Sequence, residues 1–233
     1  MSELHTVPQA AWVCDVRIPA GEAMLEGTIH LPTNASGIVL FAHGSGSSRY
    51  SPRNQYVAQV IRAAGIGTLL FDLLTPEEEV IDLRTHSLRF DIQLLAERLE
   101  DATVWVAHAD ETRHVCIGYF GASTGGGAAL VAAARLGETI GAVVSRGGRP
   151  DLAGAALARV LAPTLLIVGG HDDAVIQLNE AAYVQLQCEK ALQIVPDATH
   201  LFEEPGALEE VARRATEWFQ QHLQHEESKE SKP

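Results

Sequence analysis

Residues 118–130 read GYFGASTGGGAAL. An apolar run leads into Ser123, and a run of small residues, GGGAALVAAARL at 125–136, leads away from it. The first reads as a buried strand and the second as a helix packed close to it. Between them, Gly121-Ala122-Ser123-Thr124-Gly125 has the pattern G-x-S-x-G. Glycine two positions before and after the serine lets strand and helix pass at short range. A serine on so tight a turn carries strained dihedrals and presents its hydroxyl. The following helix N-terminus offers amide hydrogens to a developing negative charge. The bland alternative is a serine in a glycine-rich helix cap, so the rest of the chain must decide.

Outward from this point, short apolar runs recur at 38–42 (IVLFA), 67–71 (GTLLF), 115–119 (VCIGY), 140–144 (IGAVV), 164–168 (TLLIV) and 192–195 (LQIV). They are apolar on both faces, as parallel strands under helices are. Helical patterns fill the gaps at about 52–64, 83–109, 125–136, 152–160, 176–187 and 208–224. This alternation predicts a doubly wound α/β sheet. Two earlier runs, 12–18 (WVCDVRI) and 24–31 (MLEGTIHL), alternate in polarity around Pro19-Ala20-Gly21 and read as an antiparallel hairpin on one edge. About eight strands result. One domain is expected over 1–225, with a disordered charged tail, EESKESKP, at 226–233.

Ligands of such sheets sit at the carboxyl ends of the strands. There the chain places His43-Gly44-Ser45-Gly46, Ser123, Ser145-Arg146-Gly147-Gly148-Arg149, His171-Asp172-Asp173 and Thr199-His200. A serine nucleophile needs a base, and the base an orienting acid. Among the ten histidines, His200 follows the last strand and suits the base. Asp172 and Asp173 compete for the acid, since adjacent residues on an extended loop point to opposite sides. Oxyanion donors would be the amides of Thr124 and of Ser45, with Gly44 as the alternative. HGSGSS also reads as a plain flexible turn. Arg146 and Arg149 fit either a carboxylate anchor or salt bridges to Asp151 or Asp173.

These stretches together resemble the α/β-hydrolase superfamily, and within it the compact dienelactone-hydrolase-like group. The resemblance runs over about 16–219 and is carried by FAHGSGSSRYSPRN (41–54), GYFGASTGGGAAL, VSRGGRPDLA (144–153), LLIVGGHDDAVIQLN (165–179) and VPDATHLFEEPGALEEVA (195–212). It implies a Ser123–His200–Asp172 triad, because the group's G-G-x-D-x-x-V pattern puts the acid at Asp172 with Val175 three positions on. It implies hydrolysis of a small soluble ester or thioester through an acyl-enzyme; Gly44, Arg146 and Arg149 are candidate substrate contacts by their place at the same end of the sheet. Dienelactone hydrolases proper carry a cysteine where this chain has Ser123, and Cys116 lies too early to replace it. No long insertion follows Ser145, so no large lid is expected. Acyl transfer to another acceptor and a catalytically silent fold are the alternatives.

Composition narrows the field further. Lys plus Arg number 17 against 30 Asp plus Glu, a net charge of −13, which repels nucleic acid and anionic lipid. Gly44-x-Gly46 followed by Asp72 hints at a dinucleotide site, but Arg49 stands where the third glycine belongs, and no G-x-x-x-x-G-K-[ST] occurs. No cofactor is expected. Cys14, Cys116 and Cys188 are too few and too scattered for a disulfide framework. The pair His222/His225 lies on a polar helix end, so no metal is expected. Glu77-Glu78-Glu79 suits a solvated helix start. The first residues lack a secretory pattern, and no apolar run reaches the roughly 20 residues of a membrane span. A cytoplasmic protein acting on a small molecule is the expectation; a homo-oligomer is left open.

Overall fold

The computed structural model describes residues 11–224. The expected tail at 226–233 and His225 lie outside them. The strands are β1 (Trp12–Ala20), β2 (Ala23–Leu31), β3 (Gly37–Ala42), β4 (Gly67–Phe71), β5 (Cys116–Ala122), β6 (Ile140–Arg146), β7 (Thr164–Gly169) and β8 (Lys190–Val195). They form one eight-stranded sheet in the order β1-β2-β4-β3-β5-β6-β7-β8. β1 pairs antiparallel with β2, and β2 antiparallel with β4; from β4 to β8 all pairing is parallel.

The central strands are apolar throughout because each of their faces carries helices. In β3, Ile38, Leu40 and Ala42 face one core, while Val39 and Phe41 face the other. The first core is closed by α3 (Ile92–His108), α4 (Thr124–Leu136) and α5 (Asp173–Gln185). The second is closed by α1 (Pro52–Ala63) and α6 (Ala207–His222). Phe41 and Phe120 stack across β3 and β5 with ring centroids 4.9 Å apart.

Two helical expectations are corrected. The pattern at 83–109 is not one helix. α2 (Pro76–Thr85) begins at a Thr75/Glu78 capping box with Pro76 in its first turn. It ends where His86 turns left-handed, at φ 56°. The Asp82 carboxylate then accepts the Leu88 and Arg89 amides, holding a short 3₁₀ turn at Leu88–Phe90. Asp91 caps α3 by accepting the Leu94 amide. These side-chain bonds offer the backbone an alternative to continuing the helix. The second correction concerns 152–160. That stretch belongs to a 3₁₀ segment, Pro150–Arg159, broken at Gly154 (φ 51°, ψ −129°). The connection from β6 to β7 is therefore compact, with no large lid.

Candidate active site

Ser123 caps α4 with φ 50° and ψ −122°, a conformation costly for a residue with a Cβ. The flanking glycines explain how it is held. A Cβ on Gly125 would lie 2.1 Å from the Ala42 carbonyl oxygen, and one on Gly121 would lie 2.5 Å from the Gly126 Cα. Strand and helix thus touch backbone to backbone. The Ser123 amide donates to the Arg146 carbonyl at 3.3 Å, and the Ser123 carbonyl accepts from Gly126 and Arg149 at 3.0 Å each. The turn is tied to its neighbours on both sides, and Ser123 remains partly exposed.

His200 and Asp172 meet from adjacent loops. The His200 Nδ1 lies 2.6 Å from the Asp172 Oδ2. The two loops are fastened to each other by backbone. Gly170 donates to the Val195 carbonyl at 2.8 Å, and His171 to the Ala198 carbonyl at 2.9 Å. Glu204 holds the histidine loop from the other side by accepting the Thr199 amide and hydroxyl at 3.1 and 2.7 Å. Gly147, at φ 50°, passes so close that a Cβ there would lie 3.4 Å from the imidazole Cε1. Asp173, by contrast, is exposed in the first turn of α5. The geometry therefore separates the two acids that compete in the sequence.

Ser123 and His200 line one cavity of about 220 Å³ with Gly44, Ser45, Arg53 and Arg146. Gly44 packs against Ser123, where an added Cβ would lie 3.1 Å from the serine Cβ. Thr124 is the first residue of α4, so its amide is one of the helix-start donors without an intrahelical acceptor. Ser45 lies in the loop after β3, at the rim of the same cavity.

The two candidate arginines part ways. Arg149 binds Asp151 through two bonds of 2.8 and 2.7 Å, and it does not line this cavity. Arg146 does line it and is only 7% exposed. Burial, and then the nearby charge of Arg53, push its pKa down to about 10, so it stays charged at neutral pH. Arg53 and Asn54, both on α1, also border the cavity and were not singled out from the sequence. The signal that could have found them is their place directly after the loop that follows β3.

His43 is a structural histidine. Its Nε2 accepts the Leu73 amide at 3.0 Å, so Nδ1 carries the proton, 3.0 Å from the Gly44 carbonyl. Burial lowers its pKa. It thereby ties the loop after β3 to the end of β4. A second cavity, of about 380 Å³, lies on the α2 side of this loop among Leu73, Leu83, Leu95, Glu79 and Arg89. Among the described residues no group of three or more His, Cys, Asp or Glu could hold a metal ion, and no helix is long and apolar enough to cross a membrane.

A strand-turn-helix serine after β5, a carboxylate after β7 and a histidine after β8, all at the carboxyl end of one sheet, define a class that the comparisons identify directly. Residues 35–225 match the model of the alpha/beta hydrolase domain, and the chain belongs to that family, in its dienelactone-hydrolase-like branch. The solved dienelactone hydrolase from Anabaena variabilis ATCC 29413 is 62% identical, with a TM-score of 0.91 over 93% of this chain and 100% of that one. Est1E from Butyrivibrio proteoclasticus shares the fold, with a TM-score of 0.73 at 15% identity over 89% of this chain and 98% of that one. Two Mycobacterium tuberculosis proteins, from strains CDC 1551 and H37Rv, are each 56% identical over 209 residues and carry the name "Putative phosphoribosyl transferase". The match takes in 90% of this chain but 46% of theirs, so the chain spans about half the length of these relatives.

Proposed function

We propose that this hydrolase-family chain cleaves small carboxylic esters or thioesters through a Ser123–His200–Asp172 triad. The observation that carries the reading is the 2.6 Å bond from His200 Nδ1 to Asp172, made at the cavity that Ser123 enters from a left-handed turn. With Nδ1–H donated to the carboxylate, Nε2 is the basic nitrogen, and it takes the proton of Ser123 as Oγ attacks the substrate carbonyl. The carbonyl oxygen becomes an oxyanion, received by the amides of Thr124 and Ser45. The imidazolium, held by Asp172, returns its proton to the leaving alcohol or thiol. Water then repeats the cycle on the acyl-enzyme and frees the acid.

Acyl transfer would use the same acyl-enzyme with an acceptor other than water, and no feature of the cavity favours it. The transferase name of the Mycobacterium proteins belongs to chains about twice this length, and this cavity supports hydrolysis. A fluorophosphonate probe tests the reading. It should label Ser123 alone, read by intact mass and peptide mapping. A folded protein without an adduct, and without turnover of p-nitrophenyl esters of any acyl length, would refute it.

A further inference from the structure

α5 buries three residues, Val175, Asn179 and Ala182, and the middle one is an amide. Asn179 has no exposed surface, and its Oδ1 is buried without a hydrogen-bond partner. An apolar side chain would fill this position without that cost. Departures of this kind from the local pattern concentrate where a protein does its chemistry. What the amide nitrogen holds must account for this one.

Asn179 Nδ2 donates to the Val175 carbonyl at 2.8 Å, within α5, and to the Gly148 carbonyl at 3.0 Å, in the loop after β6. Among the described residues no backbone amide reaches the Gly148 carbonyl. Gly148 belongs to the short segment 146–149, which touches the site from several directions. The Arg146 carbonyl accepts the Ser123 amide at 3.3 Å, and the Arg149 amide donates to the Ser123 carbonyl at 3.0 Å. Gly147 donates to the Ile167 carbonyl at 2.7 Å and packs against the His200 ring. Gly148 presses on the first turn of α4, where a Cβ added to Gly126 would lie 3.1 Å from the Gly148 Cα. α5 itself starts from Asp172, its N-cap. Asn179 thus joins the helix that starts at the carboxylate to the segment that holds the serine.

Ser123 has φ 50° and ψ −122°, and a strained turn keeps its shape only while its neighbours over-determine it. Without the Asn179 donor, the carbonyl of buried Gly148 has no partner, and the segment gains by moving it towards water. The Arg149 amide moves with it, and the Ser123 turn loses a tie. We propose that Asn179 is a positioning residue, holding segment 146–149 so that Ser123 keeps its strained turn at the cavity it shares with His200. This rests on the reading that Ser123 is the nucleophile. The His200–Asp172 pair is fastened by its own loops, so Asn179 acts on the serine side alone.

The test compares Asn179→Leu, which removes the donor, with Ala182→Gly, which weakens the same helix but leaves the Gly148 bond in place. In Asn179→Leu, the rate of fluorophosphonate labelling of Ser123 and kcat/KM for p-nitrophenyl butyrate should both fall about 10- to 100-fold, the range of a misplaced reacting group. Ala182→Gly should lower Tm yet label at the wild-type rate. The pH midpoint of kcat/KM should be the same in Asn179→Leu as in wild type, because His200 and Asp172 keep their bond. Labelling that falls as far in Ala182→Gly as in Asn179→Leu would make Asn179 a residue of the fold alone and overturn the proposal. A shifted midpoint would move the effect to the His200 pair and overturn it too. If Asn179→Leu does not fold, Asn179→Ser answers the same question. Its hydroxyl can still bond the Val175 carbonyl, one turn back, but is too short to reach Gly148. Wild-type rates in the folded variant overturn the proposal and leave the esterase reading standing. A wild-type protein that neither labels nor turns over removes the esterase reading itself, and the proposal with it.

Discussion

The cavity has two walls of different construction. On the wall made by the loops after β7 and β8, the backbone fastens itself: Gly170 to Val195, His171 to Ala198, and Gly169 so close that a Cβ would lie 2.5 Å from the Ala198 carbonyl oxygen. On the wall made by the loop after β3 and the start of α1, side chains do the fastening. His43 accepts from Leu73, Gln55 donates to the Arg49 carbonyl, and Arg49 pairs with Asp72. The first wall over-determines the His200–Asp172 geometry, as a preorganised proton relay requires. The second keeps buried polar atoms of Arg53 and Asn54 unmatched, and Arg146 adds its own between the walls. On the proposed triad, His200 and Asp172 sit on the wall fastened by backbone, and the unmatched polar groups of Arg53 and Asn54 lie on the other.

This contrast can be broken or sharpened by mutation. The largest effect should come from Ser123→Ala, with kcat falling by about 10⁶-fold, as loss of the nucleophile does in a serine protease. Its Tm should stay near wild type, and substantial residual turnover would remove Ser123 from the reaction. Asp172→Asn should cost about 10⁴-fold by denying His200 its oriented tautomer. Asp173→Asn should leave the rate near wild type. Equal losses in steady-state assays would mean that the rigid wall does not select between the two acids.

A stability test follows. Gly169→Ala forces a methyl against the Ala198 and Thr199 carbonyls and should cost about 1–3 kcal/mol in urea denaturation, the usual range of overpacking. A cost under about 0.5 kcal/mol, the range of an ordinary surface change, would show that the backbone wall gives way.

The smallest effect concerns pH. Burial depresses the pKa of His43 below its usual value, so the unfolded chain binds its proton more readily than the folded one does. Its contribution to stability is present above about pH 6.5, the unfolded value, and is lost as pH falls towards the folded value. His43→Gln should therefore flatten part of the decline in Tm between neutral and mildly acid pH. Parallel curves for the two proteins would contradict the neutral, accepting His43.

Much of the frame was legible in the sequence because it rests on local rules. Continuous apolar runs marked six strands, of which β3 to β7 are buried and the edge strand β8 is largely half-exposed; polarity alternation marked the edge hairpin, and G-x-S-x-G between strand and helix marked the turn at Ser123. What escaped depends on where side chains point. The break between α2 and α3 needs the Asp82 carboxylate to reach back to the Leu88 and Arg89 amides, which no periodicity records. Arg146 and Arg149 are indistinguishable in VSRGGRPDLA. Only the fold gives one of them Asp151 and turns the other into the cavity. Arg53 and Asn54 look like ordinary polar helix residues until α1 is laid beside β3.

The strand order also bears on how the chain folds. β1 and β2 are joined by a two-residue turn and can pair as soon as they are made. β3 sits at the centre of the sheet, and one of its partners is β5, with Gly37 opposite Cys116. Closing that loop costs chain entropy before any hydrogen bond repays it. Hydrogen-exchange pulse labelling during refolding should protect the β1–β2 amides before those of β3 and β5. The Ser123 turn, which needs the Ala42 backbone beside Gly125, would then be among the last parts to lock. A partly folded chain would already have its hairpin but no nucleophile to misuse.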